Sequence, residues 1–144
     1  MRSKPSLTAS DAAKIMMACK AEAAKHQWDV CIAIVDEGGY LIHLERMDGA
    51  KLVTPEAAIG KARTAALMRK PSRSMEEQVD SRPAFLRFPY IMPVIGAVPI
   101  MYEGECVGGV GVAGVQSDED EQVAQAGRQC PDQGLRKQGG RNES

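Results

Sequence analysis

Val30-Cys31-Ile32-Ala33-Ile34-Val35-Asp36-Glu37-Gly38-Gly39-Tyr40-Leu41-Ile42-His43-Leu44-Glu45-Arg46-Met47 is the stretch that decides how this chain folds. From Trp28 to Val35, the residues Val30, Ile32 and Ile34 alternate with smaller or polar neighbours, the two-residue period of a strand. Asp36-Glu37-Gly38-Gly39 follows as a turn, because paired glycines supply the positive φ angles that tight hairpins need. Tyr40 to Met47 returns as the second strand. A second hairpin is expected downstream, with strands at Ile95–Tyr102 and Glu105–Val115 about a Glu103-Gly104 turn.

Helices fill the rest. Thr8 caps a first helix from about Ala9 to His26, where Ala12, Ile15, Met16, Cys19 and Ala23 recur at helical spacing. Thr54-Pro55-Glu56 opens a second with an N-cap hydroxyl, a proline at the first helical position and a carboxylate at the positive end. It runs to about Arg69, and its inner face of Ala58, Ala62, Ala65 and Ala66 is small enough to lie close to whatever it covers. Ser74 and Glu77 predict a capping box for a third helix, and Ser117 caps a last one. The order is helix, hairpin, two helices, hairpin, helix. That is an α+β chain with one domain over residues 1–130, and Pro131 to Ser144 are too polar to pack and read as a disordered tail.

Composition excludes several partners. The chain has 144 residues, and eighteen basic side chains against nineteen acidic ones leave a net charge of −1, unlike a nucleic-acid binder. Aromatics at 4% also argue against a base-stacking surface. Cys19, Cys31, Cys106 and Cys130 form no C-x-x-C pair, so a zinc site has no support. The first eight residues carry no apolar core of a signal peptide, and the apolar stretch Tyr90–Tyr102 is too short to span a bilayer. A cytoplasmic setting with free thiols and no membrane contact is expected.

Gly109-Val110-Gly111-Val112-Ala113-Gly114 spells the dinucleotide pattern, but it lies inside an alternating strand and precedes four acidic residues that would repel phosphate. Nucleotide binding is therefore not expected. Gly109, Gly111 and Ala113 share one nearly bare face, open to a packed helix or to a flat ligand. From Lys61 to Arg87 seven cations face three acids, and Arg63, with Lys61 behind it, is the expected anion contact. His43, placed on a face with Leu41, Glu45 and Met47, and His26, at the end of the first helix, are structural residues or candidate haem iron ligands. Arg46, Asp48 and Glu56 would supply an anion clamp and a base if the chain were an enzyme.

Ile34 to Leu41 and Leu44 to Ala50 together resemble the signature of the GlcG and HbpS-like family, which also provides the C-terminal domain of PduO-type corrinoid adenosyltransferases. Lys61-Ala62-Arg63-Thr64-Ala65, Gly96-Ala97-Val98-Pro99-Ile100 and Gly108 to Gly114 ahead of Asp120-Glu121 extend the likeness over about residues 7 to 127. The resemblance implies a profilin-like antiparallel sheet flanked by helices and a symmetric homo-oligomer, often an octamer. For function it implies an accessory protein that binds haem or another carboxylate-bearing planar ligand. A small catabolic isomerase or lyase acting on an organic acid is the alternative.

Overall fold

The alternation in the first hairpin becomes the boundary between two packed layers. The computed structural model describes residues 1–139, with side chains as far as residue 128. In chain order the elements are α1 (Ala9–Lys25), β1 (Cys31–Asp36), β2 (Leu41–Arg46), α2 (Thr54–Met68), α3 (Ser72–Ser81), a 3₁₀ turn (Pro83–Arg87), β3 (Ala97–Tyr102), β4 (Glu105–Ala113) and α4 (Ser117–Gly139). The α4 backbone continues through residues 131–139, the first part of the stretch read from composition as a tail. Residues 140–144 lie outside the described residues.

The two hairpins join through their inner strands. The sheet order is β2-β1-β4-β3, and every pairing is antiparallel. This is the expected α+β architecture, an antiparallel sheet with helices on both sides. On one face Ile32, Ile34, Val98, Ile100, Val110 and Val112 pack against Ile15, Met16 and Cys19 of α1 and Val123 and Ala124 of α4. On the other, Cys31, Ala33 and Val35 meet Ala58, Ala62 and Ala66 of α2.

That second layer is unusually thin. In β4, a Cβ on Gly111 would stand 2.3 Å from the Ala58 carbonyl oxygen and 2.5 Å from the Ala62 nitrogen. One on Gly109 would stand 2.4 Å from the Ala62 oxygen. The bare face of the strand is filled by the backbone of α2, so packing and not a flat ligand occupies it.

Local chemistry differs from expectation at four points. Thr8 does cap α1, its hydroxyl accepting from Asp11 N while Asp11 accepts from Thr8 N. Thr54, by contrast, is already inside α2. Val53 holds the cap position with helical angles, and the Thr54 hydroxyl donates back to the Lys51 oxygen at 2.6 Å. Ser74 likewise lies inside α3, which starts after an extended Pro71, while buried Ser72 accepts from Ala97 N at 3.0 Å and ties α3 to β3. In the first turn only Gly39 needs a positive φ, of 83°. Finally, a bulge between Ile34 and Val35 pairs His43 with Ile34 but Leu41 with Val35. Leu41 therefore turns to the α2 side, leaving His43 and Glu45 on the α1 side, where Glu45 pairs with Lys20 at 2.6 Å.

Charged groups fasten α4 to the rest. Lys61 is buried, its Nζ donating to the Val112 oxygen at 3.1 Å and to Asp120 Oδ2 at 3.2 Å. Asp120 Oδ1 also accepts from Val115 N at 3.1 Å. Burial pushes the Asp120 carboxyl above its ordinary pKa, and the Lys61 ammonium pulls it back down. At the surface, Arg73 of α3 reaches Asp118 and Glu121.

Two substitutions test this account. Gly111→Ala should cost about 1–3 kcal/mol or more, because a methyl against helix backbone cannot be absorbed by a rotamer change. Thermal unfolding would show it, and an unchanged midpoint would refute the close approach. Asp120→Ala should cost about 3–5 kcal/mol by leaving the Lys61 charge buried and unpaired. The double variant Lys61→Met, Asp120→Asn should lose less than that in urea titrations, since no charge remains inside.

Candidate functional site

A cleft at one of the sequence-predicted residues, Arg63, lies where α2 passes the turn of the first hairpin. Asp36 shapes that turn, its Oδ1 accepting from Gly38 N and Tyr40 N, both at 2.9 Å. Gly39 then matters twice. It takes the positive φ, and a Cβ there would stand 2.7 Å from Arg63 Cγ, so only glycine lets the arginine pass. The Gly39 oxygen accepts from Arg63 Nε at 3.1 Å, fixing the direction of the guanidinium.

A second wall comes from the long connection before β3. Thr64, the residue after Arg63, donates to the Gly60 oxygen at 2.8 Å and accepts from Met92 N at 2.7 Å. This pins the connection onto α2 and places the Tyr90 ring beside Arg63, with Cζ 6.0 Å from the ring centroid. Tyr90 itself has φ of 62°, a left-handed conformation rarely adopted by a bulky residue. Gly38, Tyr40, Arg63, Leu67 and Tyr90 line a cleft of about 230 Å³. Leu67 follows Arg63 by four residues and shares its helix face. Both tyrosines are exposed.

The electrostatics are simple. Arg63 Nε is committed to Gly39, but among the described residues neither terminal nitrogen has a hydrogen-bond partner. A planar fork of two donors, set in a cleft between phenol rings, can receive a carboxylate through two parallel bonds. Among the five lining residues Arg63 is the one that carries a charge, and the Asp36 carboxylate lies behind the turn, held by Gly38 N and Tyr40 N. This arrangement of one guanidinium and two phenols has the chemistry to receive an anion.

The other sequence candidates lie elsewhere. Lys61 points inward to Asp120 and does not reach the cleft, because two residues along a helix turn the side chain by more than half a circle. Gly109 and Gly111 are covered by α2. His43 faces the α1 side of the sheet, and its buried Nδ1 has no partner. His26 caps α1, stacks on Trp28 with centroids 4.3 Å apart, and is held by Glu22 and Gln122. Arg46, Asp48 and Glu56 are exposed, and among the described residues no hydrogen bond or ion pair joins them. Among those residues, no three His, Cys, Asp or Glu side chains converge on a point that could hold a metal ion. Burial raises the pKa of the Cys31 and Cys106 thiols, keeping them protonated and unreactive.

Sequence reasoning found Arg63 and missed Tyr40, Leu67 and Tyr90. The signal for two of them was present. Tyr40 directly follows the turn glycines, and Leu67 stands one helical turn from Arg63. Tyr90 left no such signal, since its position depends on the bond between Thr64 and Met92.

Comparison with known proteins agrees with this fold. Protein GlcG of Escherichia coli strain K12 is 39% identical over 114 residues, covering 78% of this chain and 85% of GlcG. An uncharacterized 15.0 kDa protein from the dhaT-dhaS intergenic region of Citrobacter freundii is 26% identical over 129 residues, 86% of this chain and 91% of that protein. Among solved structures, a double mutant of Streptomyces reticuli HbpS superposes with a TM-score of 0.85 at 32% identity, covering 90% of this chain and 89% of that one. The PduOC–haem complex shares the fold, with a TM-score of 0.80 at 24% identity over 88% of this chain and 95% of that one. The family model described as "Haem degrading protein HbpS-like" matches residues 7–129, and the chain belongs to that HbpS-like family.

Proposed function

We propose that this protein is an accessory binding protein for haem or another carboxylate-bearing planar ligand, acting as a homo-oligomer in the cytoplasm. The observation that carries this reading is the Arg63 fork, unspent and rigidly held between two exposed tyrosines. A carboxylate on a flat ring system matches both parts, the acid to the guanidinium and the plane to the phenols. Family membership points the same way, and a protein of this fold, PduOC, has been crystallised with haem. Leu41, Leu67, Leu86 and Phe88 are exposed apolar side chains of the kind that a second copy would cover. No helix among the described residues is long and apolar enough to cross a membrane.

The fit to haem is partial. A propionate suits Arg63, but neither histidine borders the cleft, so iron held at this cleft would find no histidine donor. His43, with its unpartnered Nδ1, is the better of the two iron-ligand candidates, and it serves the opposite face of the sheet. Lys61, Gly109 and Gly111 support the site from below by seating α2. A catabolic enzyme acting on an organic acid would use Arg63 or Arg46 as an anion clamp and Asp48 or Glu56 as a base, and among the described residues no hydrogen bond or ion pair joins these groups.

A haemin titration followed by absorbance tests the reading. Saturable binding should weaken by at least about tenfold in Arg63→Ala, the usual scale for losing hydrogen bonds to a charged group. Unchanged affinity in that variant would overturn the cleft assignment. If His43 ligates iron, His43→Ala should shift the Soret band, and an unmoved spectrum removes it as a ligand. Light scattering should report an assembly larger than one chain, and a monomer would refute the oligomer.

A further inference from the structure

The cleft also speaks to the size of its ligand, an inference that rests on the ligand-site reading above and narrows it. We infer that the Arg63 cleft selects a small aromatic carboxylate, one ring bearing one carboxylate, over a whole tetrapyrrole. Volume is the first argument. The cleft holds about 230 Å³. An apolar cavity of about 150 Å³ already accommodates benzene, and the remainder is room for a carboxylate. The cleft is half open to solvent, so this volume is the part of a ligand that its walls enclose, one ring in size. Pockets that enclose larger organic ligands run from roughly 300 to 1,000 Å³.

The walls are the second argument. Tyr40, Tyr90 and Leu67 offer two aromatic side chains and one aliphatic contact, enough for a single ring beside the guanidinium that lies over Tyr90. Among the lining residues the charge is one guanidinium, whose two terminal nitrogens have no hydrogen-bond partner among the described residues and match one carboxylate through paired hydrogen bonds. A tetrapyrrole with iron would further want an axial donor, and the lining residues provide no histidine.

Backbone strain is the third argument. Tyr90 is held at φ of 62° by a connection anchored through Met92 and Thr64. A residue with a side chain carries backbone strain in this left-handed region that glycine does not. A glycine would relax that backbone and remove the ring, so stability and binding should move apart. A purely structural tyrosine would not separate them in this way.

Calorimetric titration of the full chain with benzoate, cyclohexanecarboxylate, acetate and haemin tests the proposal. Benzoate should bind once per chain and at least about fivefold tighter than the non-aromatic acids, the margin expected for ring–ring contact. Arg63→Lys keeps the charge but loses the fork, and should weaken benzoate by at least about tenfold. Tyr90→Gly should hold or raise the thermal midpoint while weakening benzoate by about tenfold. Equal affinity for acetate, an unaffected Arg63→Lys, or a Tyr90→Gly that binds benzoate normally would each overturn the proposal. Haemin bound through Arg63 while benzoate is ignored would also overturn it, yet leave the cleft standing as a ligand site. If neither haemin nor benzoate depends on Arg63, both readings fall together.

Discussion

The backbone of α2 rests directly on the backbone of β4, with no side chain of β4 between them where Gly109 and Gly111 face Ala58 and Ala62. A helix on a sheet normally sits on a carpet of Val, Ile and Leu side chains, which can tilt and repack. Here main-chain atoms meet main-chain atoms, and dispersion contacts fall off steeply with any gap. The position of α2 is therefore set within a few tenths of an ångström. Everything that α2 carries inherits that accuracy, including Arg63 on one side of the helix and Lys61 on the other.

This seating explains how a small chain can hold an arginine in a defined direction near the surface. Arginine has a long side chain and loses much rotamer freedom when fixed. The Gly39 carbonyl limits that freedom by accepting from Nε, but only because the helix and the hairpin turn are held at the right separation. The buried pair of Lys61 with Asp120 supplies the same service from behind, tying α2 to the start of α4 across the edge of the sheet. One helix thus links an interior ion pair, a backbone seat and a half-buried cation.

Much of this was legible in the sequence because it depends on short-range patterns. Strand alternation, turn glycines and the alanine repeat sufficed for the element order and for both hairpins, and they marked the alanine face as a close-packing surface. Caps were less legible, since Thr54 and Ser74 are the right residue types one or two positions from where the backbone uses them. The bulge in β2 was invisible, and it moved Leu41 to the far face from His43. At the site, Arg63 could be picked out by its place beside the alanines. Lys61 could not be separated from it, because its burial depends on Asp120 arriving from a helix some sixty residues later, 59 positions on. Tyr90 depends on a tertiary hydrogen bond and so had no local signature.

The connection that carries Tyr90 differs in kind from the rest of the molecule. Its residues from Pro83 to Tyr90 are exposed apart from a partly covered Phe85, and its attachment to α2 is made further along, at Met92. One wall of the cleft is consequently written on a strip of chain that the core does not constrain, while the opposite wall and the cation are written on parts that it does. Exchanging residues along that strip would alter which molecules fit without repacking either layer of the fold. On the binding reading proposed above, the scaffold separates the address from the lock: the guanidinium would say that an acid is wanted, and the exposed strap would say which one.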